Sequence, residues 1–399
     1  MAIRMYSTGT LLAIGAHLSA LALTGALVQG CRETDDGSGF RPDAGTESDG
    51  ADPKYAQPFS NAGDLRTASC AQATDRAQRV PAYMLFVLDG SGSMTQDNKW
   101  TAATGALGSL FDEIRNQAPT SIAVGLTVFA DRRDFTATDH SAGPYASIDV
   151  PLGFVDTAKH TSLRERVDLT EPFLGTPTYE VLNGQYPQLA AYTPTSPIEK
   201  GGKRVLVFMS DGIPDPDMPA GKNEAPWSLN LATEWAGKPE PIITFSVGIG
   251  SLNAPQVYDP KFMAQLAVNG KGAKAGCDPN ETANESKMCH FQITPGGKSQ
   301  AQLTTEFLNA INAIRAQAMS CEFTLQQTGG TLDVNKVNVI YTTGGGGQSI
   351  VPKNDSEGWA FDNTTAPTKV ILNGAICTQV KGDPNGKVEI VVGCASVIR

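Results

Sequence analysis

One aspartate and two serines lie close together in the segment of residues 83–94, which reads Tyr-Met-Leu-Phe-Val-Leu-Asp-Gly-Ser-Gly-Ser-Met. Asp89, Ser91 and Ser93 alternate with glycines, and glycine allows the backbone to turn sharply. Such a turn brings a carboxylate and two hydroxyls round one point. These hard oxygen ligands suit Mg²⁺ and other small divalent cations. The spacing predicts half of a metal site, and an ordinary glycine–serine turn with an aspartate cap is the simpler alternative.

The element that must position these residues is the apolar run that precedes them. Six apolar residues, from Tyr83 to Leu88, follow one another without a polar interruption. A strand with one exposed face would alternate, so the run predicts a strand that is buried on both faces. A carboxylate cannot remain unpaired in that core, which means that Asp89 must emerge at the carboxyl edge of the sheet.

Three more apolar runs predict neighbouring strands, and segments of helical spacing lie between them. The runs are Ser121–Phe129, Lys203–Ser210 and Ile242–Gly250, and a last amphipathic helix extends from Leu303 to Ala318. Buried strands that alternate with helices predict a parallel sheet covered on both faces. Ligands of such sheets bind beyond the carboxyl ends of the strands.

The pattern Asp-x-Ser-x-Ser after a buried strand resembles the von Willebrand factor type A (VWA) family and its metal-ion-dependent adhesion site, over residues 80–320. The resemblance implies an α/β fold with a doubly wound, mostly parallel sheet and helices on both faces. It also implies two further ligands. Thr176, in a Gly-Thr step before a helix, would supply a hydroxyl, and Asp211, in Ser-Asp-Gly after the Lys203–Ser210 run, would reach the metal through water.

Thr176 could also have a purely structural role. A threonine before a helix is commonly an N-cap, and Thr178 is the alternative ligand if the register differs by two residues. With Asp89, Ser91, Ser93, Thr176 and Asp211, the resemblance implies Mg²⁺ (or Mn²⁺ or Ca²⁺). It further implies that the carboxylate of a partner protein completes the coordination.

Composition excludes some classes of partner. The 399 residues carry a formal net charge of −10 and contain no basic run. An acidic chain of this kind argues against nucleic acid and against an anionic membrane surface as partners.

Residues 1–30 are typical of an export signal, because Arg4 precedes a largely apolar stretch from Leu11 to Val28. The stretch ends Leu-Val-Gln-Gly-Cys, which resembles a bacterial lipoprotein box in which Cys31 becomes the lipidated first residue. A simple cleaved signal and a retained membrane anchor are the alternatives. Arg32, rather than an aspartate, follows Cys31, which favours the outer membrane or cell surface as the location.

The seven cysteines are an odd number for an exported chain. If Cys31 carries lipid, six remain as disulfide candidates: Cys70, Cys277, Cys289, Cys321, Cys377 and Cys394. Our preferred pairing is Cys277–Cys289, Cys377–Cys394 and Cys70–Cys321. The first two bonds close short segments, and the third joins the entrance of the main domain to its exit.

The predicted domain organisation has four parts. A signal peptide at 1–30 precedes an acidic, flexible tether at 31–79, the VWA-like domain at 80–320, and a small β-rich region at 321–399. The last region shows no sequence motif for catalysis or ligand binding.

The sequence as a whole favours a cell-surface, metal-dependent protein-binding module of the adhesion type over an enzyme. A metal-assisted hydrolase and an envelope scaffold with a purely structural metal are the alternatives. Catalytic parts are missing from the sequence pattern, since no histidine lies near a motif and no Gly-x-Ser-x-Gly elbow occurs.

Overall fold

The computed structural model describes residues 61–68, 73–131, 145–173, 175–214, 224–252, 258–325, 333–383 and 386–398. The predicted signal segment 1–30, the lipidation candidate Cys31, the tether up to residue 60 and Cys70 lie outside these ranges. Within them, no helix combines the length and the apolar character needed to cross a bilayer.

A six-stranded sheet forms the centre of the larger domain. Its strands are β3 (Ala82–Asp89), β4 (Ile122–Phe129), β5 (Val150–Gly153), β6 (Lys203–Ser210), β7 (Ile242–Ile249) and β8 (Phe291–Ile293). They lie in the order β5-β4-β3-β6-β7-β8. All neighbours are parallel except β5, which is antiparallel to β4.

Strand β3 lies in the middle of the sheet and is buried along its whole length. Its side chains alternate between two cores, with Met84 and Phe86 in one and Leu85 and Val87 in the other. This is the structural reason for the unbroken apolar run, because both faces of the strand are covered.

Within the described ranges, six helices cover the two faces of this sheet. Their bounds are α2 (Lys99–Gln117), α3 (Thr157–Asp168), α4 (Thr178–Ala191), α5 (Glu224–Ala236), α6 (Pro260–Asn269) and α7 (Gln300–Ala318). Helices α2, α3 and α7 contribute to the core on one face, and α4, α5 and α6 to the core on the other. The predicted fold class, a doubly wound and mostly parallel α/β sheet with a smaller β region, is therefore confirmed.

The smaller region consists of two four-stranded antiparallel sheets that pack round one core. The strands are β1 (Ala73–Arg76), β2 (Gln78–Arg79), β9 (Glu322–Thr324), β10 (Val337–Thr342), β11 (Gln348–Val351), β12 (Trp359–Phe361), β13 (Lys369–Leu372) and β14 (Lys387–Val392). The two orders are β1-β14-β10-β11 and β12-β13-β9-β2. Helix α1 (Ala62–Thr67) packs on the first sheet, and α8 (Gly374–Gly382) contributes to the shared core.

The structure corrects the predicted boundary of the tether. Residues 62–79 contain α1, β1 and β2, and these two strands pair with β14 and β9 from the other end of the chain. The α/β domain is thus an insertion between two strands of the β-sandwich. The error arose because both strands are short and polar, and only pairing with distant strands makes them regular.

Two disulfides are defined within the described residues. Cys277 is bonded to Cys289, as expected. Cys321 is bonded to Cys377, which contradicts the expected pairs Cys377–Cys394 and Cys70–Cys321. The expectation failed because Cys321 lies just before β9 and α8 packs against that end of the sandwich, an arrangement that sequence separation does not indicate. Cys394 is also disulfide-bonded.

The longer of the two disulfide loops should matter more for stability. Cys321–Cys377 spans a sequence separation of 56 residues and Cys277–Cys289 a separation of 12. Loop-closure entropy then predicts a loss of about 4 kcal/mol for the double variant Cys321→Ala/Cys377→Ala and about 3 kcal/mol for Cys277→Ala/Cys289→Ala. Denaturant unfolding of both variants measures the two losses. A larger loss from the shorter loop would contradict this account.

Candidate metal site

Both predicted aspartates lie at the carboxyl edge of the central sheet. Asp89 is the last residue of β3, and Asp211 directly follows β6, the neighbouring parallel strand. Both side chains are fully buried. Because parallel neighbours end side by side, the two carboxylates are brought together by the strand register itself.

The first aspartate fixes the turn that carries the serines. Asp89 Oδ1 accepts a hydrogen bond of 2.7 Å from the Ser91 backbone N–H. Its other oxygen accepts a bond of 2.5 Å from the Ser210 hydroxyl, at the end of β6. These bonds hold the carboxylate in one orientation and link the ends of the two strands.

The serine hydroxyls converge on the second aspartate. Ser93 Oγ donates to Asp211 Oδ1 at 2.8 Å, and Ser91 Oγ lies 2.9 Å from Ser93 Oγ and 3.4 Å from Asp211 Oδ1. The structure therefore brings Asp89, Ser91, Ser93 and Asp211 together as one cluster of oxygen atoms.

Thr176 reaches the cluster from a separate loop. A β-carbon built on Gly212 would lie 2.6 Å from Thr176 Oγ1, so this hydroxyl packs directly against the residue that follows Asp211. Pro177, rather than Thr176, occupies the N-cap position of α4, and no side chain caps that helix. Thr178 donates instead to the carbonyl of Thr176, at 3.3 Å.

Glycines let this loop approach the serine turn. The Phe173 N–H donates to the Gly90 carbonyl at 2.9 Å, and a β-carbon on Gly92 would lie 2.9 Å from the Phe173 carbonyl oxygen. Real β-carbons rarely tolerate such a contact, so a side chain at Gly92 would push the loop away, whereas one at Gly90 would meet the Phe129 carbonyl oxygen of β4 at 3.0 Å. Gly92, which lies between the two serines, therefore serves the neighbouring loop as well as the turn.

A largely buried arginine holds the same loop in place through hydrogen bonds. Arg166 of α3 donates to Asp131 Oδ2 at 3.0 Å, to the Thr170 hydroxyl at 2.5 Å and to the Val128 carbonyl at 2.7 Å. Asp131 in turn accepts a bond from the Glu171 N–H at 3.2 Å. This network fixes residues 170–173 beside the end of β4, and none of it was predicted from the sequence.

A lysine inside the cluster was not predicted from the sequence either. Lys99, the first residue of α2, is only 4% exposed, and its ammonium group forms an ion pair with Asp211 Oδ2. Asp97 and Asn98 have left-handed backbone angles, with φ of 52° and 59°, and they turn the chain so that Lys99 points inward. The sequence does show a lysine six residues after Ser93. The inward direction of its side chain, however, depends on this turn.

The electrostatics of the cluster favour an additional cation. Burial, and next to it the negative charge of Asp211, raise the pKa of Asp89 above its ordinary value. Lys99 supplies one positive charge against two carboxylates. The donor set, two carboxylates and the hydroxyls of Ser91, Ser93 and Thr176, is composed of hard oxygen atoms, which fits Mg²⁺ and related cations.

Hydroxyls are an essential part of this fit. Among the described residues, no group of three or more His, Cys, Asp or Glu side chains is arranged to hold a metal ion. Two carboxylates alone are too few ligands for a six-coordinate cation, so the serine and threonine oxygens and water must supply the others. Ser93 and Thr176 are half-buried, whereas Asp89, Ser91 and Asp211 are buried, so the cluster opens to solvent on the side of these two hydroxyls.

The raised pKa of Asp89 predicts a dependence on pH with a definite sign. The metal-free protein retains a proton on Asp89 that the unfolded chain has lost, so its stability should fall as pH rises from about 4, the unfolded pKa, to about 7, the folded pKa. Over the same range, Mg²⁺ should bind more tightly because the ion competes with that proton. Thermal unfolding in chelator and titration calorimetry at several pH values measure the two trends, which should vanish in Asp89→Asn.

No protein-family model and no curated protein matches the sequence. Solved structures with some similarity include the pilus adhesin SpaC from Lactobacillus rhamnosus GG, with 14% identity, a TM-score of 0.42, and coverage of 80% of this chain and 39% of that one. A von Willebrand factor type A structure from Catenulispora acidiphila has 14% identity and a TM-score of 0.38, and the match covers 81% of this chain and 60% of that one.

A third similar structure is the vWF domain of the type V pili tip protein Mfa5 from Porphyromonas gingivalis, with 13% identity and a TM-score of 0.38. The match covers 64% of this chain and 99% of that one. This chain thus spans about two fifths of the SpaC chain and three fifths of the Catenulispora chain. Similarities at these scores assign neither a family nor an activity. The function is therefore argued from the site itself.

Proposed function

We propose that the protein is a cell-surface, metal-dependent protein-binding module of the adhesion type. Asp89, Ser91, Ser93, Thr176 and Asp211 hold a divalent cation, Mg²⁺ or else Mn²⁺ or Ca²⁺, and a partner protein contributes an exposed carboxylate. The observation that carries the proposal is the convergence of Ser91, Ser93 and both aspartates at the carboxyl edge of the sheet.

The choice of an acidic partner follows from the ligands. Neutral hydroxyls donate little charge, and Lys99 already offsets one of the two carboxylates. A bound cation would therefore supply a site of positive charge with at least one coordination position for an incoming anionic oxygen. The chain's own residues orient the cluster and leave it open beside Ser93 and Thr176.

The rim of the site suits a protein partner. Ile213 follows Asp211-Gly212 directly and is 49% exposed. Exposed apolar surface next to a polar centre is typical of protein-interaction sites. A carboxylate flanked by apolar side chains would be complementary to this surface.

The cellular location is part of the proposal. The signal segment 1–30 and the lipid attachment at Cys31 would place the mature chain on a bacterial outer membrane or cell surface. Mass spectrometry of the mature amino terminus identifies the first residue and any attached lipid.

The partner experiment uses the full chain immobilised on beads with surface extract in buffer containing Mg²⁺. We expect specific proteins to bind, to elute with chelator, and to bind again when Mg²⁺ is restored. Ser93→Ala should lose the same proteins, and so should extract whose carboxyl groups have been amidated.

The matched control is Ser109→Ala, the same substitution on the exposed face of α2, which should capture partners like the unsubstituted chain. Captured proteins that stay bound through the chelator wash would show that any metal is purely structural. Turnover of a partner or of a small substrate at this site would place the protein among enzymes instead.

A further inference from the structure

A cleft lined by both charged and apolar side chains lies at the opposite end of the α/β domain, where the domain meets the β-sandwich. Two adjoining cavities of about 610 Å³ each share Pro194, Lys200, Gly201 and Lys369. We call their combined volume the basal cleft. It borders Lys203, the first residue of β6, and therefore lies at the amino edge of the sheet, away from Asp89 and Asp211.

The basal cleft is cationic although the protein is acidic. Five lysine or arginine side chains and two glutamates line it, in a chain whose net charge is −10. The cations come from three separate parts of the sequence, at residue 79, at residues 200–204 and at residue 369. For this reason the sequence shows no basic run, and only folding concentrates the charge.

Several of these cations remain incompletely neutralised. Lys203 and Lys369 share one carboxylate, Glu322, at 3.7 Å and 2.8 Å. Lys200 is exposed and forms no ion pair with any described residue. Arg79 donates to the Val380 carbonyl at 2.9 Å rather than to an acid.

Two cations of the cleft also act on a neighbouring lysine. Lys381 of α8 has a pKa below its ordinary value, chiefly because of burial and then because of the positive charges of Lys203 and Arg79. A local positive potential of this kind attracts and orients anions.

The walls of the cleft are apolar and rigid. Tyr192 lies edge-on to Tyr83, with ring centroids 5.1 Å apart, and Pro194, Pro239 and Pro241 line the same space. The Tyr83 hydroxyl donates to the Glu199 carbonyl at 2.6 Å and accepts from the Gly202 N–H at 2.9 Å, which fixes the loop that carries Lys200.

From this combination we propose that the basal cleft binds an anionic oligosaccharide, a chain of sugars carrying carboxylate or sulfate groups. The lysines pair with the acidic groups, and the half-buried Tyr192 ring and the proline surfaces pack against the C–H faces of the sugar rings. This site is separate from the metal cluster and does not depend on it.

The test measures binding of the full chain by calorimetry to four probes of similar length: a heparin-derived hexasaccharide, a hexamer of galacturonate, maltohexaose and hexaglutamate. At least one anionic saccharide should bind, and which one distinguishes sulfate from carboxylate. Maltohexaose should not bind, and hexaglutamate should bind at least tenfold more weakly. Binding should weaken as salt increases.

Variants assign the binding to the cleft. Lys200→Glu reverses the charge of an exposed side chain and should weaken saccharide binding at least tenfold, and Lys369→Gln should weaken it as well. Lys261→Glu, a matched reversal on the exposed surface of α6, should have no effect. Thermal unfolding establishes that each variant is folded.

Independence from the metal site is checked with Asp89→Ala and with chelator, neither of which should change saccharide binding. The proposal is overturned if neither anionic saccharide binds at millimolar concentration, or if Lys200→Glu binds like wild type. It is also overturned if hexaglutamate binds as tightly as the saccharides, which would indicate a site for acidic peptides.

Discussion

Asp89→Ala is expected to lower the affinity for Mg²⁺ at least a hundredfold while the fold survives. Asp89 is a fully buried carboxylate and its oxygens are oriented by Ser91 and Ser210. Removal of this charge takes away half of the negative charge available to a cation. The fold should persist because the raised pKa of Asp89 means that its ionised form costs stability when no cation neutralises it.

Titration calorimetry with MgCl₂ and MnCl₂ measures the affinity, and thermal unfolding in chelator measures the stability. Asp112→Ala is the matched control, because it removes an exposed aspartate of α2 that pairs with His160 of α3 rather than with the metal cluster. Equal affinity in Asp89→Ala and in the unsubstituted chain would mean that the ligand assignment is wrong.

Lys99→Met should have opposite effects on the metal-free and the metal-bound protein. The ammonium group and Asp211 are both buried, and removal of one partner leaves an uncompensated charge. Such a loss destabilises proteins by about 3–5 kcal/mol, which is the expected effect in chelator. With excess Mg²⁺ the deficit should shrink, since the cation restores positive charge beside Asp211.

By the same reasoning, Lys99→Met should bind Mg²⁺ about tenfold more tightly than the unsubstituted chain, because lysine and metal compete for one carboxylate. Calorimetry gives the affinity, and unfolding with and without Mg²⁺ gives both stabilities. Lys261→Met, at an exposed position on α6, controls for the loss of a lysine. If Mg²⁺ binds more weakly to Lys99→Met, the lysine assists the site instead of competing with the metal.

The sequence was most informative where periodicity and local chemistry agree. The unbroken apolar run of β3 predicted a doubly covered central strand, and the strand register then placed Asp89 beside Asp211. The approach of Ser91 and Ser93 was foreseeable because the two glycines allow the sharp turn that brings the hydroxyls together. Except for the approach of Asp89 to Asp211, which follows from the shared edge of parallel strands, each of these inferences rests on residues within a few positions of one another.

Features that depend on long-range contacts could not be foreseen. The inward direction of Lys99 depends on two left-handed residues, and the Cys321–Cys377 bond depends on how α8 packs on the sandwich. Strands β1 and β2 lack an apolar pattern and owe their conformation to partners more than two hundred residues away. The sequence contains no periodic signal for pairing of this kind.

The insertion of the α/β domain between β2 and β9 has a mechanical consequence. These strands are antiparallel neighbours, so the chain enters and leaves the inserted domain through adjacent points. A pull on the domain is therefore shared by two strands, and the Val80 N–H bond to the Glu322 carbonyl, 3.1 Å long, lies where they meet. On the exit strand, the Cys321–Cys377 bond passes the load covalently to α8. The inserted domain could stretch under tension while its attachment to the sandwich remained closed.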